Sequence, residues 1–162
     1  MTFRIVGLAP EPFASLFALE DHELAARGIA RRVADLPHAF PCRVSLEDAA
    51  PGEELLLLPF THHEVATPYR ASGPIYVRRN AARAQLRDDV VPDQLRRRLV
   101  SVRAYDRDGW MIEASVVDGK ELDAELLRCF AREEIAYAQI HNARPGCFAA
   151  TALRSSARSS TD

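Results

Sequence analysis

Three stretches of this chain gather side chains able to bind or react. The richest is His141-Asn142-Ala143-Arg144-Pro145-Gly146-Cys147-Phe148, which sets an imidazole, an amide, a guanidinium and a thiol around one tight turn. Arg144, Asn142 and turn amides suit a carboxylate or phosphate, because a guanidinium is a planar fork of donors and successive backbone N–H groups form an anion-binding concavity. The plainer alternative is a Pro-Gly turn with a solvated arginine and Cys147 as a small core residue. The second stretch is Cys42-Arg43, just after Pro41. A neighbouring guanidinium favours thiolate, which would make Cys42 a nucleophile, a redox thiol or a ligand, against the alternative of a buried inert thiol. The third is Tyr69-Arg70, followed by Gly73-Pro74, at the end of a polar loop that leads into a strand. Binding residues are often held at such loop ends, although a packed tyrosine beside a surface arginine is the rival reading.

Other constellations carry less. His62 and His63 are adjacent, so on extended backbone they point to opposite sides and are poorly placed to share a metal. Arg78 to Arg98 holds seven arginines against Asp88, Asp89 and Asp93, but no aromatic residue lies between Tyr76 and Tyr105. Without a stacking platform, that run reads as a solvated helical face rather than a nucleic-acid surface. Glu53-Glu54 and Glu133-Glu134 sit at element edges with no apolar pocket to raise a carboxyl pKa. There is no Cys-x-x-Cys pair, no phosphate-binding glycine loop and no nucleophile elbow, so no cofactor and no metal are expected. Of 21 basic residues only Lys120 is lysine, which leaves Schiff-base chemistry a single candidate.

These residues need elements to position them. Thr2 to Leu8 reads as a strand, and Pro10 and Pro12 open a helix carrying Phe13, Leu16 and Phe17. Asp21 is the expected N-cap of a second short helix that Gly28 stops. Ile29 to Asp35 is a strand, Phe40 to Gly52 is turn-rich, and the apolar run Leu55 to Phe60 suits a strand covered on both faces. Thr61 to Ser72 is expected as a polar loop and Gly73 to Arg79 as a half-buried strand. Asn80 to Arg98 is expected to be helical in two pieces interrupted by Pro92. Val100, Val102 and Ala104 alternate with polar residues. The chain then turns at Asp106 to Gly109 and resumes through Trp110, Ile112, Ala114 and Val116, a β-hairpin pattern. Asp118 and Glu121 open a helix to about Arg132 whose stripe is Leu122, Leu126, Cys129 and Phe130. Ile135 to Asn142 and Cys147 to Arg154 are the last strands.

The pattern implies an α+β fold with a mainly antiparallel sheet of six or seven strands and about three flanking helices. A single domain covers residues 1–154, followed by a disordered tail over 155–162. At 162 residues, 48% hydrophobic and a net charge of −2, the chain can bury a core without disulfides or metals. Its balance gives no global pull toward nucleic acid or an anionic membrane. The longest apolar run is far too short to span a bilayer, and no basic region precedes the N-terminal apolar stretch, so a bacterial cytoplasmic protein with free cysteines is expected. Open sheet edges make a homodimer the expected assembly.

The chain resembles an uncharacterised bacterial family, domain of unknown function 1203. The resemblance rests on Phe40-Pro41-Cys42-Arg43-Val44-Ser45-Leu46-Glu47-Asp48-Ala49, on Pro68-Tyr69-Arg70, and on Ser72-Gly73-Pro74-Ile75-Tyr76-Val77. Tyr105-Asp106 with Gly109, His141-Asn142-Ala143 and Gly146-Cys147-Phe148 complete it. It runs from about Phe3 to Arg154 and implies a small bacterial protein of unassigned activity. In the pattern the resemblance implies, some relatives carry a His and then a Cys just after the Gly-Pro-Ile strand, where this chain has Arg78-Arg79-Asn80-Ala81. That difference counts against a metal or redox site built on those two positions.

Three function classes follow. The first is a small-molecule binder or enzyme whose pocket recognises an anion through Arg43, Arg70 and Arg144, with Tyr69, His141 and Asn142 as polar partners. The second is a non-enzymatic interaction or regulatory module in which these residues only hold turns. The third is a thiol or metal protein using Cys42, Cys147 and His141, which requires the two cysteine Cα atoms to lie within roughly 7 Å for a bridge.

Overall fold

The structure is a computed structural model and describes residues 2–155. The expected tail beyond Ser155 lies outside the described residues, and Ser155 itself closes the last strand. In chain order the elements are β1 (Thr2–Val6), α1 (Glu11–Ala14) running into a 3-10 turn at Ser15–Ala18, α2 (Asp21–Ala26), β2 (Ala30–Val33) and β3 (Glu54–His63). Then come β4 (Ala71–Arg78), α3 (Asp93–Arg96), β5 (Leu99–Tyr105), β6 (Met111–Asp118), a 3-10 turn at Gly119–Glu121, α4 (Leu122–Phe130), β7 (Tyr137–Asn142) and β8 (Phe148–Ser155).

The fold is α+β and its strand pairs are antiparallel, but the strands divide into two sheets instead of one. Five follow the order β1-β8-β7-β5-β6 and three the order β2-β3-β4. The division follows from what each sheet has to cover. One face of the larger sheet presents Val100, Val102, Ala104, Ala138, Ile140, Ala150 and Ala152 to Leu122, Leu126, Cys129 and Phe130 of α4. Small alanines on the central strands let the helix approach closely, and each fully buried Leu or Phe is worth about 1.5–3 kcal/mol. The smaller sheet buries Leu56, Leu58, Ile75 and Val77 with Phe13, Phe17 and Leu24 of the N-terminal helices. Phe148 of β8 joins that second cluster and so connects the two sheets.

Several expected elements differ. Asn80 to Arg98 is helical only at α3. The stretch before it bonds to distant backbone instead of to itself: Ala84 N–H donates to Val44 O, Asp89 N–H to Phe3 O, and the Asp89 carboxylate accepts from Phe3 N–H. Asn80 and Asp89 also adopt left-handed backbone, at φ 56° and 61°, which no helix continues through. The expected polar loop at Thr61 to Ser72 is shorter, because β3 runs on to His63 and β4 starts at Ala71. The N-cap of α2 is Glu20, one residue early, with a reciprocal capping box to Glu23. The β5–β6 hairpin forms as expected, but a register shift between Ala104 and Tyr105 turns β6 over. Val116 is 60% exposed, while Ser115 and Glu113 reach residues of α4.

Candidate functional site

Arg43 begins the turn that follows Cys42, whose backbone pairs with Tyr76 of β4. Cys42 and Val44 point into the smaller sheet's core. The Arg43 side chain instead leaves that core for the start of β8 and the turn before it. Its side chain is 1% exposed. Its guanidinium donates to Phe148 O at 2.7 Å, to Pro41 O, and to Cys147 Sγ at 3.0 Å. Among the described residues no carboxylate comes within ion-pair distance of Arg43 or of Arg144. Burial accordingly pushes the Arg43 guanidinium down from its usual range, partly offset by the sulfur beside it.

Arg43 forms the floor of a cleft of about 560 Å³. The His38–Pro41 loop, Pro74 and Tyr76 of β4, Arg97 and Arg98 ahead of β5, Asn142 at the end of β7, and Arg144 and Cys147 of the last turn surround it. Gly146 makes that turn by adopting φ 78° and donating its N–H to Asn142 O at 2.8 Å, which leaves Arg144 exposed at the cleft mouth. Asn142 is 5% exposed, and its Oδ1 is buried with no hydrogen-bond donor, while its Nδ2 reaches Cys147 Sγ at 3.7 Å. Four guanidinium groups therefore line the cleft and no carboxylate does. Asp48, buried behind them, forks to Arg98 at 2.7 and 3.2 Å and approaches Arg97 at 3.6 Å.

Of the residues singled out from sequence, Arg43, Asn142 and Arg144 come together here, with Cys147. Arg70 does not: it pairs with Glu64 at 3.0 Å and is mostly exposed. Tyr69 packs edge-on against Tyr105 and Trp110. Cys42 turns its Sγ to the Arg78 N–H at 3.3 Å, within the core. His141 lies on the face of the larger sheet that meets β3, 4.9 Å from the ring of His62. Its Nδ1 faces Gly146 O at 3.1 Å and its Nε2 faces Gln139 Oε1 at 3.3 Å. Burial, with the positive charges of Arg103 and Arg43 nearby, pushes His141 down to about 4. Cys42, Cys147 and His141 are thus not assembled for a metal, and among the described residues no group of three or more His, Cys, Asp or Glu is. All three cysteines are free.

His62 and His63 do not diverge as expected: a bulge between Thr61 and His63 lets both reach the face of β7 that carries Tyr137 and Gln139, and both are engaged rather than solvated. His63 is buried between Tyr69 O at 2.8 Å and the Tyr137 hydroxyl at 2.7 Å, and His62 contacts Gln139 at 2.9 Å. Sequence reading missed His38, Arg97 and Arg98. The last two form part of an arginine triplet directly ahead of a strand, a place where side chains are held at a sheet end rather than spread along a helix. No curated protein and no solved structure matches the chain. Residues 39–154 match the family described as protein of unknown function (DUF1203), so the resemblance holds from the cleft loop onward and the chain belongs to that family.

Proposed function

We propose that the protein binds a small anionic molecule, a carboxylate or phosphate, in the arginine-lined cleft. Arg43, Arg144 and Asn142 make the primary contacts, and Arg97 and Arg98 supply further positive potential. The observation that carries this reading is Arg43, a guanidinium 1% exposed at the cleft floor with no carboxylate partner among the described residues. Buried charges are ordinarily paired, so a site that keeps one unpaired is preorganised for an anion from outside. Asn142 lines the cleft and keeps its Oδ1 without a donor, so once the amide turns to the cleft it takes a ligand O–H or N–H. A hydroxy acid, an amino acid or a phosphomonoester with a neighbouring hydroxyl meets both conditions.

Thermal denaturation with phosphate, citrate and hydroxycarboxylates, each matched for ionic strength, tests the reading. A ligand at about a hundred times its Kd stabilises by about 2.7 kcal/mol, or roughly 5–10 °C for a chain of this size. Arg144→Glu is expected to abolish the rise, and no rise with any anion in wild type would refute the proposal.

A further inference from the structure

Resting on the anion-binding reading, we propose that Cys147 is the cleft's nucleophile and that it exchanges with small anionic disulfides to form a mixed disulfide. Three observations place the thiol there. Cys147 lines the cleft and is partly exposed, whereas Cys42 and Cys129 are buried at 0% and 1% exposure. Its Sγ accepts from the Arg43 guanidinium at 3.0 Å, a contact a thiolate makes more strongly than a thiol. Asn142, 5% exposed, lines the same cleft and keeps its Oδ1 without a donor.

The electrostatics select the disulfide. Exchange needs an incoming sulfur in line with Sγ, and the four arginines hold a carboxylate-bearing partner at that position while giving a cationic one no counterion. In the step, the Cys147 sulfur attacks one sulfur of R–S–S–R, a new S–S bond forms, and R–S⁻ leaves. The departing thiolate takes up the proton that Cys147 gave up, so one thiol and one disulfide become another thiol and another disulfide. No second cysteine lines the cleft, so the protein does not resolve the product itself. The adduct persists until an external thiol removes it, and while it persists it fills the anion site.

The probes are dithiobis(nitrobenzoate), which carries two carboxylates, and neutral dithiodipyridine, with each rate divided by that of the same reagent toward free glutathione. The expected result is a preference for the anionic reagent of about tenfold or more, competed by inorganic phosphate. Arg144→Glu is expected to remove that preference. Peptide mapping of the wild-type adduct should place it on Cys147, and Cys147→Ser should show no fast phase. Equal normalised rates for the two reagents, or an adduct on Cys42 or Cys129, would overturn the inference. Phosphate-dependent thermal stabilisation of Cys147→Ser separates the two proposals. If it persists while the charge preference is absent, only the thiol chemistry fails; if wild type and variant both lack stabilisation by phosphate, citrate and the hydroxycarboxylates alike, anion binding itself fails.

Discussion

Replacing Asp48 by asparagine keeps the shape of a buried side chain and removes the counterion behind the cleft. The wild-type carboxylate is 5% exposed and forks to Arg98, whose side chain is 17% exposed. It also approaches Arg97 and His38 at 3.6 Å. Breaking a fully buried pair costs about 3–5 kcal/mol, but Arg97 is 44% exposed and water takes over part of its solvation. Arg98 also keeps its bonds to Gln94 O and His38 O. The expected loss is therefore about 2–3 kcal/mol, read as a lower urea midpoint at unchanged m. Anion affinity should move in the opposite sense. Deleting one negative charge behind the cleft removes a repulsion on the order of 1 kcal/mol, roughly fivefold in Kd. Titration calorimetry with the anion found by thermal shift, at low and high salt, reads that change. Weaker anion binding by a folded Asp48→Asn protein, or a stability loss below about 0.5 kcal/mol, would refute the electrostatic account of the cleft.

Other expectations are simpler. His141 is held near pKa 4 by burial, so the unfolded chain binds a proton that the folded one excludes between about pH 4 and 6.5. Stability should be level above pH 6.5 and fall by up to about 3 kcal/mol on acidification through that window, with His141→Gln flattening the urea-midpoint profile. At Gly7 an added Cβ would lie 2.1 Å from Val44 O, whereas nothing lies within 4 Å of one added at Gly73. Gly7→Ala should therefore cost about 3 kcal/mol by chemical denaturation and Gly73→Ala less than about 1. Burial, reinforced by Glu113, pushes the Cys129 thiol up to about 12. Native Cys129 should stay unlabelled by iodoacetamide at pH 8 while Cys147 reacts, as peptide mapping after a timed quench would show.

What could be read from sequence was whatever the chain settles with its neighbours in order. The β5–β6 hairpin is of this kind: its alternation and its Asp-Arg-Asp-Gly turn are local, and Asp106 Oδ1 accepts from the N–H groups of Asp108 and Trp110. The α4 stripe is another, since its four apolar positions fall on one face whatever lies beneath. The segment ahead of α3 illustrates the opposite case. Its hydrogen bonds end on Phe3 and Val44, and Arg83 donates to Gly7 O, partners that no local window contains. Half of the cleft was legible because Asn142, Arg144 and Cys147 share one turn. Arg43 joins them across 104 residues of sequence, and its burial runs against the ordinary exposure of arginine. Arg70 shows the converse error, since a promising loop arginine is satisfied by a nearby glutamate.

The placement of β1 and β2 has a consequence for self-association. Each is the outermost strand of its sheet, β1 against β8 and β2 against β3, and both precede residue 39, where the family match begins. The residues ahead of the family match thus supply one border strand to each sheet. These strands pair the backbone of Phe148–Ser155 and Glu54–His63 and carry each sheet's border outward onto themselves, where edge-to-edge pairing between molecules would begin. On β1 that border is hemmed from outside: Asp89 N–H donates to Phe3 O and the Asp89 carboxylate accepts from Phe3 N–H, so an intruding strand would first have to displace the loop ahead of α3.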